Sequence, residues 1–145
     1  MTQLVFGADS QVAEWAAAHL GTSFGECAAI GICGEDGALI AGVVYNHLHC
    51  NPKTGRPAMI EMSIASDSPK WCSRENLDAL FGYPFRQLKV SRVQATVHRK
   101  NRHARRFVER LGFVYEGMGR RAWPTGGDAA VYSMLPHECR WLRNG

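Results

Sequence analysis

Asn101-Arg102-His103-Ala104-Arg105-Arg106-Phe107-Val108-Glu109-Arg110-Leu111-Gly112-Phe113, running on into Tyr115-Glu116-Gly117, is the stretch whose reading decides the fold. Ala104, Phe107, Val108 and Leu111 recur at i, i+3, i+4 and i+7, so one face of a helix is apolar. Asn101 is placed to cap that helix, because its side-chain oxygen can accept an orphan backbone N–H. Gly112 stands where a left-handed residue would stop it. The segment therefore predicts a capped amphipathic helix that docks on a sheet, ends abruptly and re-enters the sheet as a strand.

Outward from that helix the pattern is α/β. Val12, Trp15, Ala16 and Leu20 form the stripe of a first helix, capped by Asp9 or Ser10 and ending near Gly21. Cys27–Cys33 and Leu39–His49 read as strands joined by the hairpin signal Gly34-Glu35-Asp36-Gly37. After the turn-rich Asn51–Pro57 loop, Ala58–Ala65 reads as the next strand of a meander. Ser73 starts a helix predicted to reach Gln87, with Leu77, Leu80, Phe81 and Phe85 inward and an irregularity at Pro84. Arg92–His98 alternates as a strand; Phe113–Met118 and Asp128–Leu135 are further strands, and a short helix from Pro136 to Leu142 closes the chain. A meander followed by alternating helices and strands implies a mixed sheet with helices on both faces.

At 145 residues, with 46% hydrophobic and 21% charged side chains, the chain is expected to form one domain over 1–145. No apolar run approaches a membrane span, and MTQLVFGADSQ lacks a leader pattern, so a soluble cytoplasmic protein without a membrane partner is expected. Five cysteines without CxxC spacing argue against a disulfide framework or a zinc knuckle. His47-Leu48-His49-Cys50 puts two imidazoles on one strand face, but no second ligand cluster completes a metal site, and none is assigned. The net charge of +4 hides an asymmetry. Residues 1–85 hold four basic and nine acidic side chains, whereas 86–121 hold eleven basic ones and only Glu109 and Glu116. A block of that sign concentrates anions, whether nucleic acid or a phosphorylated cofactor.

The string Asn101-x-x-Ala104-x-x-x-x-Glu109-Arg110-Leu111-Gly112-Phe113-x-x-Glu116-Gly117 resembles motif B of the GNAT superfamily of acyl-CoA N-acyltransferases. Tyr83-Pro84-Phe85, Leu88, Arg92-Val93-x-Ala95-x-Val97, Arg120 and the terminal Asp128-x-x-x-Tyr132-Ser133-Met134 extend the likeness over about Gly42 to Leu142. The branch it is most similar to acetylates protein N-termini, and includes ribosomal-protein acetyltransferases and short relatives common in phage and prophage genomes.

The resemblance implies a mostly antiparallel mixed sheet with a central splayed parallel pair, here Ala58–Ala65 and Arg92–His98. Acetyl-CoA, as co-substrate, would lie in the opening. Ile64, Ala65 and Ser66 would bond its pantetheine amides, Asn101 would stand at the mouth, and Arg105 would add to the cofactor set. Lys70, Trp71, Cys72, Ser73 and Arg74 would lie at the pyrophosphate, on a helix N-terminus that favours anions. Where the family loop reads Q/R-x-x-G-x-G/A, this chain has Ser68-Pro69-Lys70-Trp71-Cys72-Ser73. Its proline removes a donor N–H, and its tryptophan stands where backbone must approach phosphate. Cys72, beside the helix N-terminus, is a candidate for a lowered thiol pKa.

An amine must be neutral to attack a thioester, so a carboxylate is useful. Glu61, inside Met59-Ile60-Glu61-Met62-Ser63-Ile64, is the candidate base, with Ser63 on the same face. In the family this chain resembles, one position of that helix often supplies a tyrosine general acid; here it is Val108, and Tyr132 or Tyr115 could substitute, with nothing in the spacing to select one. The acceptor would be a small-molecule or peptide amine, with nucleic acid and a homodimer left open. The competing reading is a non-catalytic module that uses the basic 86–121 segment to hold nucleic acid or a protein.

Overall fold

The computed structural model describes residues 1–143. Its strands are β1 (Gln3–Val5), β2 (Cys27–Cys33), β3 (Leu39–Cys50), β4 (Pro57–Ser66), β5 (Arg92–His98), β6 (Val114–Gly119) and β7 (Ala129–Met134). They form one sheet in the order β1-β2-β3-β4-β5-β7-β6. Every pairing is antiparallel except that of β4 with β5. The helices are α1 (Asp9–Leu20), α2 (Arg74–Gly82) and α3 (Arg102–Leu111). No helix is long and apolar enough to cross a membrane.

Strand alternation sorts the apolar side chains into two layers. Ala29, Val44 and Ala65 pack with Val12, Ala13 and Ala16 of α1. On the opposite face Ile30, Val43, Tyr45, Ile60 and Met62 share a core with Leu77, Leu80 and Phe81 of α2 and Val108 and Leu111 of α3. Helices thus cover both faces. Gly31 and Gly42 are cross-strand partners beneath α1. A Cβ on Gly42 would lie 3.1 Å from Val12 Cγ1, so the missing side chains let α1 settle close to the sheet. Asp9 does not cap α1. Ala8 holds the cap position without a side-chain bond, and the Asp9 carboxylate instead accepts the Ala29 N–H at 3.1 Å, tying the helix to β2.

The Pro84 irregularity has a definite form. α2 ends at Gly82, and Tyr83–Gln87 is a π-turn in which the Leu88 N–H donates to the Tyr83 carbonyl. Proline has no N–H to give the carbonyl four residues back, which is that of Leu80. The fully buried Tyr45 hydroxyl donates to it instead, at 2.6 Å.

α3 matches its sequence reading closely. Asn101 accepts the Ala104 N–H at 3.1 Å, and Gly112 terminates the helix at φ 111°. The expected C-terminal helix is corrected: only Pro136–Glu138 makes a 3-10 turn. Beyond it the side chains cap α3, Trp141 Nε1 donating to the Leu111 carbonyl at 2.8 Å and Arg140 to that of Arg110. Glu116 clamps three strands. It accepts Arg92 of β5 through both oxygens (2.8 and 2.6 Å) and the Ser133 hydroxyl of β7 at 2.9 Å.

Tyr45→Phe orphans the Leu80 carbonyl in the core, and is expected to lower unfolding free energy by about 1–3 kcal/mol in urea titration. Hydrogen bonds from Arg92, then Ser133, hold the Glu116 carboxyl at about 2 against the opposing effect of desolvation. A depressed folded pKa stabilises the fold above the ordinary glutamate value, and that contribution is lost as pH falls through the folded pKa. Glu116→Gln is therefore expected to melt below the wild type near neutrality, with the gap closing between about pH 5 and about pH 2.

Candidate functional site

The parallel pairing of β4 with β5 covers Met59↔Arg92, Ile60↔Val93 and Glu61↔Gln94 and then stops. β4 continues to Ser66 on β3, and β5 to His98 on β7, so both strands stay paired on their outer sides. Between them a groove of ≈ 390 Å³ opens. From Met62 onward the β4 edge facing β5 carries no ladder partner among the described residues, leaving backbone donors and acceptors along one wall.

The two faces of the sheet make the groove chemically asymmetric. Toward α2 and α3 it is apolar, with Ile64, Ala95 and Val97 facing Ala104, Phe107 and Val108. Toward α1 it is polar. Glu61 sits where the strands part, its side chain 16% exposed. Thr96 Oγ1 donates to Glu61 Oε1 at 3.0 Å, and His47 Nδ1 lies 3.3 Å from Oε2. Asn46 pairs with Glu61 across β3 and β4, so the two side chains share this face. His47 is aimed by a bulge in β3: the register shifts between Asn46 and His49, and His47 takes φ 54°. A histidine in the left-handed region is strained, and such strain gathers at functional positions. The bulge also breaks the alternation that would have put His47 and His49 on one face. Among the described residues no group of three or more His, Cys, Asp or Glu side chains is arranged to hold a metal.

Four of the residues singled out from sequence, Glu61, Ser63, Ile64 and Asn101, line this one groove. Ala65 is buried under α1 instead, and Ser66 is exposed at the end of β4. Lys70, Trp71, Cys72, Ser73 and Arg74 gather at the start of α2. Ser73 caps that helix by accepting the Asn76 N–H at 3.1 Å, and Lys70 is exposed. Trp71 turns inward: it is 2% exposed, edge-on to Phe107 at 5.6 Å, and its carbonyl accepts Asn76 Nδ2. It therefore props α2 against α3 and leaves the loop surface clear. Arg74 donates to the Arg140 carbonyl at 3.2 Å. Burial pushes the Cys72 thiol up, so the expected lowering is corrected.

Arg105 and Tyr132 do not line the groove. The buried Tyr132 hydroxyl donates to Glu109 Oε2 and accepts from Arg105 Nε, both at 2.9 Å, and burial is the main cause raising its pKa. These residues brace α3 against β7. The basic block divides similarly: Arg86, Arg92 and Arg105 have internal partners, whereas Arg99, Lys100, Arg102, Arg106, Arg120 and Arg121 are exposed.

Sequence reading missed Asn46, Thr96 and Phe24 as groove residues. Asn46 and Thr96 join Glu61 through strand register, which no local spacing reports. The one available signal was the polar Asn46 directly after the apolar run Val43-Val44-Tyr45. Trp123 also lines the groove, edge-on to His98 at 5.7 Å.

The family model described as Acetyltransferase (GNAT) domain matches residues 6–114. No curated protein matches the chain significantly. Among solved structures, the spermidine/spermine N-acetyltransferase SpeG of Vibrio cholerae aligns with TM-score 0.70 and 15% identity, over 94% of this chain and 96% of its own. The ribosomal-protein-S5-alanine acetyltransferase of Vibrio fischeri aligns with TM-score 0.68 and 13% identity, over 98% and 94%. The Salmonella typhimurium protein yncA, solved with its cofactor acetyl-CoA, aligns with TM-score 0.68 and 14% identity, over 96% of both. At these identities the likeness shows the fold.

His47→Gly relieves the left-handed strain and is expected to raise unfolding free energy by about 0.5–1 kcal/mol in urea titration. His47→Ala, with the same loss of imidazole but a retained Cβ, is expected to show no such gain.

Proposed function

The chain belongs to the GNAT acetyltransferase family, and we propose that it moves an acetyl group from acetyl-CoA to a primary amine, with Glu61 taking the amine's proton. The observation that carries this reading is the placement of Glu61. It is the one carboxylate lining the groove among the described residues, and it stands where the parallel strands part.

The chain's residues fit the co-substrate. The β4 edge at Ile64, Ala65 and Ser66 has backbone groups to pair with pantetheine amides. The apolar wall of Phe107, Ala104 and Val108 suits the arm, with Asn101 at its mouth. The α2 N-terminus, with Lys70 and Arg74 exposed beside it, suits the phosphates. Trp71 packs inward, so the glycine-poor loop keeps its outer face open. Proline at 69 still removes one donor, and side-chain cations outside the loop have to carry more of the phosphate charge.

Bound acetyl-CoA supplies a thioester carbonyl. Every other requirement falls on this chain. An amine reaches neutral solution largely as ammonium, without a free lone pair. Glu61, steadied by the Thr96 hydroxyl and by His47, accepts the proton that frees it. Across the reaction an amide N–C bond replaces the thioester C–S bond; the ammonium proton goes to Glu61 and on to solvent, and CoA departs as the thiol, its sulfur taking the second proton that the nitrogen sheds as the amide forms.

Thermal unfolding with acetyl-CoA, and with CoA as control, is expected to show dose-dependent stabilisation of about 2.7 kcal/mol at a hundredfold excess over Kd. Glu61→Gln is expected to keep that stabilisation and to lose about 10²–10⁴-fold in kcat. No shift at millimolar acetyl-CoA sinks the reading. Nucleic-acid binding that fades steeply with salt would then put the binding module in its place.

A further inference from the structure

Asn46 is buried to 8% exposure at the polar end of the groove, and its Oδ1 has no hydrogen-bond partner among the described residues. It is the one buried side-chain oxygen or nitrogen there that is left unpaired. Leaving such an atom unsatisfied costs about 1–3 kcal/mol, and natural chains rarely keep one without a use. Its backbone lies in register with Glu61, which puts both side chains on the α1 face.

We infer that Asn46 is the positioning residue for the acceptor amine, and that the acceptor is a monoamine on an apolar or aromatic body. This rests on the acetyltransferase reading and goes beyond it in naming an amine anchor and a substrate class. A neutral primary amine has two N–H bonds and one lone pair. Glu61 removes the third proton, and the Asn46 amide, turned about its last side-chain bond so that the oxygen now sealed from solvent faces the groove, accepts one of the two N–H groups that remain. The lone pair first faces Glu61, where the proton left; a turn about the C–N bond brings it to the open centre of the groove, and the N–H hydrogen bond to Asn46 holds it there. A carboxylate alone cannot impose that orientation.

The rest of the lining sets the class. Phe24, packed against the layer beneath α1, and Trp123, edge-on to His98, supply flat apolar surface on the acceptor side. Glu61 is the only carboxylate in the lining among the described residues. A second or third ammonium entering the groove would lose its water without gaining a counter-charge, so polyamines are disfavoured.

The test compares 2-phenylethylamine with spermidine as acceptor at saturating acetyl-CoA, in the wild type, Asn46→Leu and Asn46→Asp. The wild type is expected to prefer 2-phenylethylamine in kcat/KM. Asn46→Leu is expected to raise the KM for 2-phenylethylamine roughly tenfold while the KM for acetyl-CoA holds and Tm holds or rises, because a buried orphan is gone. A merely structural asparagine would lower Tm and raise both KM values together. Asn46→Asp adds a second carboxylate, and is expected to shift the kcat/KM ratio toward spermidine roughly tenfold; it keeps the test open if Asn46→Leu does not fold.

The inference is overturned by a wild type that binds acetyl-CoA yet prefers spermidine or leaves 2-phenylethylamine untouched. An unchanged amine KM in Asn46→Leu, or an unchanged ratio in Asn46→Asp, also overturns it. Failure of the wild type to bind acetyl-CoA at all instead brings down the acetyltransferase reading beneath it.

Discussion

Everything functional in this molecule depends on where the β4–β5 ladder stops. A strand that leaves a ladder exposes backbone groups that need other partners. Here each strand keeps its outer neighbour, β4 with β3 and β5 with β7, so only the inner edges are opened. The sheet is in effect two antiparallel halves joined over three residue pairs. The joint is reinforced from outside: Ser91 donates through its N–H and its hydroxyl to the Ala58 carbonyl, and Glu116 holds Arg92 from two strands away. The Glu of the Leu111-Gly112-Phe113-x-x-Glu116 string is thus accounted for by sheet mechanics.

The same economy explains how a loop without glycines can sit at the start of α2. Glycine in such a loop lets backbone approach a phosphate. Here Trp71 inserts below the loop against Phe107, and Asn76 ties the Trp71 carbonyl from within the helix. The loop is braced from below, and flexibility is exchanged for packing. That fixes α2 relative to α3, whose Ala104, Phe107 and Val108 form the apolar wall of the groove.

What could be read in the sequence follows the range of the interactions concerned. α3 was legible to its cap and its stop because both are local: Asn101 reaches three residues ahead, and Gly112 needs only its own φ. Glu61 was legible because a carboxylate inside an apolar strand is anomalous in its immediate neighbourhood. Asn46 and Thr96 were not, because their link to Glu61 runs through the pairing of β3, β4 and β5. The closing helix was overread for a related reason. Arg140 and Trp141 have helix-compatible neighbours, but carbonyls at the end of α3, thirty residues earlier, claim their side chains. Tyr132 stood in a motif that suggested chemistry; its hydroxyl lies between Arg105 and Glu109 and off the groove lining, a placement that its local spacing does not report.

Local sequence rules are broken twice side by side, and that coincidence is informative. Asn46 is a buried amide oxygen without a partner; His47, the next residue, is a non-glycine at φ 54°. Each departure costs of order 1 kcal/mol or more. A Leu-Gly pair at 46–47 would remove both at once. Folding alone therefore gives no reason for Asn-His here. The two residues converge on one object, the Glu61 carboxylate at the parting of the strands, His47 by contact and Asn46 by register. Lys89 and Arg121 also take positive φ outside the groove lining, so a strained backbone alone marks no site; what sets positions 46 and 47 apart is that strain and an orphaned amide fall together beside one carboxylate. On that ground the polar end of the groove is a site the fold supports at its own expense, and a purely structural account of Glu61 leaves both of its neighbours unexplained.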